Sequence, residues 1–144
     1  IRYPRDAFTK YLGRSGSAYV EREKLTPVDA VTLLVRNGAL PVMAHPTYSS
    51  TKFDRGEVAG LRDILADLKD AGLVGMEVYY GDYTPDQVRR LAELAEVLGL
   101  ICCGGSDYHA AGNPGEREPG SVGPPLETVQ ALEALRALRA GSER

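Results

Sequence analysis

Three short apolar runs, the second broken by a single acid, separated by stretches of helical periodicity, constrain this chain more than any other feature. They occupy residues 40–44, 73–80 and 100–103. Each has the length of a strand rather than a helix, and near-continuous apolarity is what a parallel strand covered on both faces shows. Between them Leu61, Ile64, Leu65 and Leu68, and then Val88, Leu91, Ala95 and Leu98, each trace one face of a helix. Local punctuation agrees. Thr26-Pro27-Val28-Asp29 offers a capping Thr, a first-turn Pro and an acid at the third helical position for a helix to about Arg36. Thr84-Pro85-Asp86-Gln87 repeats this as a capping box, and Gly72 and Gly99 are placed to close helices. A short helix from Pro4 carries Phe8, Tyr11 and Leu12 and stops at Gly13, while a last helix over 125–139 has Leu132, Leu135 and Leu138 in register.

Strand and helix alternating at this spacing predict an α/β protein with parallel strands. Residues 1–24 read as a connecting segment with a short helix, and 25–144 as βα units. A closed (βα) barrel normally takes roughly 250 residues. Three strands therefore read as about half of one, and Ile at position 1 suits a piece of something longer.

Charge narrows the partners. The 17 basic and 20 acidic side chains leave a net charge of -3, without the basic excess that general DNA binding needs to displace counterions from phosphates. An anionic substrate would have to draw positive charge from elsewhere, and bound metal is the obvious supply. No apolar run approaches the roughly 20 residues of a membrane span, and the amino end lacks a signal peptide's apolar stretch, so the expected setting is cytoplasmic with no membrane partner. Cys102 and Cys103 are adjacent within an apolar run and read as packing residues, since a chelating pair would be spaced apart.

In parallel α/β architectures the loops after the strands form the active face. Both histidines of the chain fall there, His45 after the first run and His109 after the third. Asp107 and His109 lie two apart in what is expected to be extended chain, so their side chains would point the same way and reach neighbouring metal ions. A carboxylate and imidazole set suits zinc, manganese or iron, and Gly104 and Gly105 allow close backbone approach. Residue types and spacing equally allow a Gly-rich turn with a solvated His109, and a structural His45 before Pro46. Glu77 interrupts the second apolar run, so it either faces the polar mouth of a site or pairs with a helix. Tyr48, Tyr79, Tyr80, Tyr83 and Tyr108 crowd the same strand ends, where they can stack on a base or sugar. Lys52, Arg55 and Arg117 fall in two polar loops, 47–56 and 110–124, whose length suggests a functional role; the three side chains read either as phosphate contacts or as solvated.

Ala44-His45-Pro46, Gly75-Met76-Glu77-Val78-Tyr79-Tyr80 and Gly105-Ser106-Asp107-Tyr108-His109, in this order, resemble the later motifs of the PHP (polymerase and histidinol phosphatase) superfamily. Ala7-Phe8, Tyr11-Leu12-Gly13 and Ala18-Tyr19-Val20 resemble its stand-alone phosphoesterases, of the type that dephosphorylates nucleoside 3′,5′-bisphosphates or trims short RNA from the 5′ end. The resemblance implies the carboxyl-terminal portion of a distorted (βα)7 barrel and a hydrolase with two or three divalent metals, Mn, Zn or Fe. It implies His45, Asp107 and His109 as metal ligands, with Asp107 and His109 catalytic; beside them Glu77 and Tyr80 are expected as substrate contacts, Glu77 alternatively as a support behind a ligand. It implies a metal-bound hydroxide attacking the phosphate of a nucleotide or short oligonucleotide in the full-length parent, with this chain alone inactive. The alternatives are a histidinol-phosphate phosphatase or a non-catalytic structural or regulatory domain. Two positions differ from many relatives: Thr47-Tyr48-Ser49 replaces Gly and a basic residue, and Tyr83 stands where a His is common.

Overall fold

The computed structural model describes residues 1–21, 23–47, 55–109, 111 and 115–142, the side chains of residues 4, 55–59 and 142 excepted. Tyr48, Lys52, most of the loop at 47–56, residues 110 and 112–114 of the later loop, and the side chain of Arg55 lie outside the described residues. The chain divides into two compact units, Ile1–Leu25 with His109–Glu116, and Thr26–Tyr108 with Arg117–Arg144.

In the first unit, helix α1 (Pro4–Ala7) runs directly into a π-helical turn over Phe8–Leu12 that ends at Gly13, whose N–H is bonded to the Phe8 carbonyl at 2.8 Å. The Asp6 carboxylate caps its start, accepting from the N–H groups of Arg2 and Tyr3 at 2.9 and 3.2 Å.

The second unit is α/β. Its order is α2 (Pro27–Arg36), β1 (Val42–Met43), α3 (Arg55–Asp70), β2 (Gly75–Tyr80), α4 (Pro85–Leu98), β3 (Ile101–Gly105) and α5 (Leu126–Ser142). The strands form a parallel sheet in the sequential order β1-β2-β3 among the described residues. The caps stand where the sequence placed them: Thr26 Oγ1 accepts from the Asp29 N–H at 3.1 Å, and Thr84 and Gln87 make the reciprocal capping box. Gly99 closes α4 in the left-handed conformation, φ 60°, which glycine adopts without a Cβ penalty.

Met76 and Val78 of β2 are fully buried against Leu61, Leu65 and Leu68 of α3 and Leu91, Leu94 and Ala95 of α4, with Val31 of α2 closing the core. Two expected core positions turn outward. Ile64, about 60° from the centre of the α3 stripe at 100° per residue, is exposed, and Leu138 is exposed on α5. The inward stripe of α5 runs instead through Thr128, Leu132, Leu135 and Arg139. The Thr128 hydroxyl donates to the Cys102 carbonyl at 2.9 Å, and Arg139 reaches the carbonyls of Ala39 and Gly72 at 3.0 and 3.5 Å. Strand β1 is shorter than its apolar run because Pro41 brings no N–H to the ladder and His45 leaves the extended region. Strand β3 is longer, taking in Gly104 and Gly105, which pair with Tyr79 and Tyr80. No helix among the described residues is long and apolar enough to cross a membrane.

Candidate functional site

The carboxyl ends of the three strands bring four side chains of the second unit together. His45, two residues past β1, sets its Nε2 3.5 Å from Oδ2 of Asp107, two residues past β3. Glu77 of β2 lies behind the ring: its Oε2 accepts the His45 backbone N–H at 2.9 Å and stands 3.7 Å from Nδ1. The Tyr80 hydroxyl reaches Asp107 Oδ2 at 3.5 Å, the limit of a hydrogen bond, and its ring meets the His45 ring edge-on with centroids 5.0 Å apart.

Strict alternation would send Glu77 and Tyr80, three residues apart, to opposite faces of the sheet. An irregularity in the β2–β3 ladder prevents this. Glu77 pairs with Cys103 and Tyr79 with Gly104, so Val78 is the extra residue of a bulge. Val78 and Tyr79 both turn to the helix-covered core, and Tyr80 comes back to the side that holds Glu77. Gly104 makes the bulge possible, since a Cβ there would collide with the Tyr79 carbonyl.

His45 and Asp107 share a second property. They are the non-glycine residues with positive φ among those described, at 48° and 57°. Such backbone costs about 1–3 kcal/mol and persists where surrounding structure holds it, characteristically at ligand clamps and active sites. The expectation that Asp107 and His109 share extended chain is therefore corrected: left-handed backbone at Asp107 breaks the alternation on which it rested. The division between units falls after Tyr108, placing His109 in the first unit. There its N–H donates to Glu116 Oε1 at 2.6 Å, with Nδ1 3.8 Å from that oxygen. Nothing in the sequence marks Glu116, which lies seven residues away in a Gly and Pro-rich loop without periodicity.

The electrostatics favour a cation. Burial first, then the charges of Asp82, Asp107 and Glu77, push the Tyr80 hydroxyl above its ordinary range, so it stays a protonated donor. An anionic phosphate entering beside these carboxylates needs compensating positive charge. Arg117 lies across Gly81 and makes an exposed pair with Asp82 at 3.2 Å. Imidazole facing carboxylate is a donor set that suits a divalent transition metal. No group of three or more potential ligands is assembled among the described residues. Of the other tyrosines, Tyr79 packs against the core, Tyr108 is exposed, and Tyr83 stacks edge-on against Tyr80 with centroids 5.1 Å apart. Burial pushes the Tyr83 hydroxyl above its ordinary range, and Thr47 beside it opposes that shift. A groove of about 440 Å³ lies at the opposite, amino end of β2 and β3, between Leu73, Ile101, Leu135 and Arg139, remote from this chemistry.

No family model matches the chain. Curated relatives do. It is 42% identical over 81 residues to the phosphoribosyl 1,2-cyclic phosphate 1,2-diphosphodiesterase of Eggerthella lenta, covering 56% of this chain and 27% of that protein. It is 33% identical over 115 residues to the 3′,5′-nucleoside bisphosphate phosphatase of Chromobacterium violaceum, covering 80% and 39%. With the 5′-3′ exoribonuclease of Haemophilus influenzae the identity is 32% over 105 residues, covering 72% and 36%. The chain belongs to the PHP superfamily. Solved structures with this fold include an amidohydrolase from C. violaceum with bound sulfate and no metal, at TM-score 0.65 and 29% identity, covering 90% of this chain and 44% of that one. A Bifidobacterium adolescentis protein described as a metal-dependent phosphoesterase superposes at TM-score 0.64 with 22% identity, covering 89% and 43%. This PHP chain spans between about a quarter and two fifths of the length of the curated relatives it matches.

Proposed function

We propose that the chain forms part of a metal-dependent phosphoesterase that hydrolyses a phosphate ester of a nucleotide or short RNA. The observation that carries the reading is the pair His45 and Asp107, face to face at 3.5 Å and each held in left-handed backbone at a strand end. Energy stored in two residues of complementary ligand type, at one point in space, is what a clamp for a cation requires. The names of the relatives supply the substrate class, being enzymes of phosphoribosyl, nucleoside bisphosphate and RNA phosphoesters. Parallel strands in sequential order support a portion of a (βα)7 barrel, in which neighbours in sequence are neighbours in the sheet.

His45, Asp107 and His109 would hold divalent metal, of which Mn, Zn and Fe suit the donors. When bound, such ions supply positive charge to phosphate oxygens and activate water as nucleophile. The chain's own side chains prepare the site. Glu77 fixes the His45 backbone and sets its charge 3.7 Å from Nδ1 of the ring, so it supports a ligand more than it touches substrate. Tyr80 keeps its proton and holds one oxygen of Asp107, and its ring edge lies beside His45 where it can contact a bound sugar or base.

The test uses the full-length protein stripped of metal and reloaded with Mn, Zn or Fe in turn. Release of phosphate from a nucleoside 3′,5′-bisphosphate, or of mononucleotide from the 5′ end of a short RNA, is expected, lost in Asp107→Ala and His109→Ala and reduced in His45→Ala. Release from histidinol phosphate alone would replace the substrate class. Folded Asp107→Ala with wild-type turnover would overturn the site.

A further inference from the structure

We infer that Glu116 is a positioning residue for His109, holding that imidazole as Glu77 holds His45; the inference rests on the metal-site reading above. The two pairs lie in different units of the chain and share one geometry. In the second unit the His45 N–H donates to Glu77 Oε2 at 2.9 Å, and Nδ1 stands 3.7 Å from the same oxygen. In the first unit the His109 N–H donates to Glu116 Oε1 at 2.6 Å, and Nδ1 stands 3.8 Å from it. Both carboxylates are shielded, with side chains 12% and 14% exposed, although His109 itself is 66% exposed. A shielded carboxylate beside an open imidazole is unusual for a surface contact, since a glutamate left to solvation would itself be the more exposed partner.

A carboxylate bonded to the histidine's own N–H is anchored to its backbone and so stands at a fixed place against the Nδ1 edge of the ring. Neither Nδ1 contact is within hydrogen-bond distance, so the effect is electrostatic. At His109 negative charge there favours the proton on Nδ1, which makes Nε2 the nitrogen whose lone pair can meet a metal. A metal-binding imidazole requires that arrangement, one nitrogen bare and the other attended by an acceptor. At His45 the second ring nitrogen, Nε2, lies 3.5 Å from Asp107 Oδ2, so two carboxylates flank that ring where one flanks His109. A glutamate that merely tied down a Gly-rich loop would need the N–H bond but would leave the ring tautomer unbiased.

The experiment measures Zn²⁺ or Mn²⁺ affinity of the full-length protein by chelator competition, together with the absorption bands of the Co²⁺-loaded form. Glu116→Ala is expected to weaken binding by about 10–100-fold and to alter the Co²⁺ bands. Glu116→Gln, which keeps an oxygen for the N–H without the charge, should lose less. His109→Ala sets the scale. If it binds metal as the wild type does, the metal reading itself fails. If His109→Ala loses metal while both Glu116 variants stay within about two-fold of wild type, the reading stands and the positioning role is overturned. Should Glu116→Ala not fold, the His109 tautomer read by ¹⁵N NMR in metal-free wild type and Glu116→Gln decides. A proton on Nδ1 in the wild type, with the preference lost in the variant, supports the role, and a proton on Nε2 in the wild type refutes it.

Discussion

Gly104 and Gly105 are adjacent in β3, and the structure predicts opposite outcomes when each is changed to Ala. A Cβ at Gly104 would fall inside the contact radius of the Tyr79 carbonyl oxygen and 2.7 Å from both the carbonyl carbon and the Tyr79 Cβ. Ordinary carbon contacts begin at about 3.5 Å, and the atoms here are backbone or bound to it, so the strands must part by close to 1 Å. Overpacking of this kind costs about 1–3 kcal/mol, and losing the Tyr79–Gly104 pairing adds about 1 kcal/mol. At Gly105 nothing lies within 4 Å, and alanine gains about 0.5–1 kcal/mol through the less flexible unfolded chain. The two variants should differ by about 3–5 kcal/mol, or about 10 °C in Tm for a chain of this length. Thermal and urea unfolding of the two proteins side by side measures this. In the full-length protein Gly104→Ala should also lower the proposed phosphoesterase activity, because the bulge it disturbs is what turns Tyr80 toward Asp107. Equal unfolding midpoints would refute the close approach of Gly104 to Tyr79, and with it the account of how Glu77 and Tyr80 come to share a face.

At His45 and Asp107 glycine should be more stable than alanine by about 1 kcal/mol, the reverse of the usual order, because positive φ penalises a Cβ. Denaturation of the four variants checks this, and alanine more stable at either site would show that no strain is stored there. Burial pushes the thiols of Cys102 and Cys103 above their ordinary 9.0, and burial likewise pushes the hydroxyls of Tyr80 and Tyr83 above 10.0. In each case the folded state keeps the proton longer, so the stability these groups contribute is whole below about pH 9 and is lost as pH rises past their folded values. A urea midpoint that stays level from about pH 8 to 11 would contradict this.

The elements were legible in the sequence wherever a few neighbouring residues decide them. Thr26 and Thr84 cap their helices, Gly99 takes the left-handed turn, and Leu61, Leu65, Leu68, Leu91 and Ala95 enter the core, all through interactions spanning four residues or one helical face. The types of the site residues were equally readable, because His45, Glu77 and Asp107 interrupt or end apolar runs where a charged group is costly unless it has a purpose. What the sequence could not decide is which way those side chains face. The bulge at Val78 depends on the register of β2 against β3 and on the room Gly104 leaves, and no residue within β2 announces it. The positive φ of His45 and Asp107, the turn of Ile64 and Leu138 to the surface, and the meeting of His109 with Glu116 are likewise settled by partners distant along the chain or by loop closure. Local hydrogen bonds and periodicity carry their own signature in the sequence. A register, or a strained dihedral held by surrounding structure, exists only once the strands have paired.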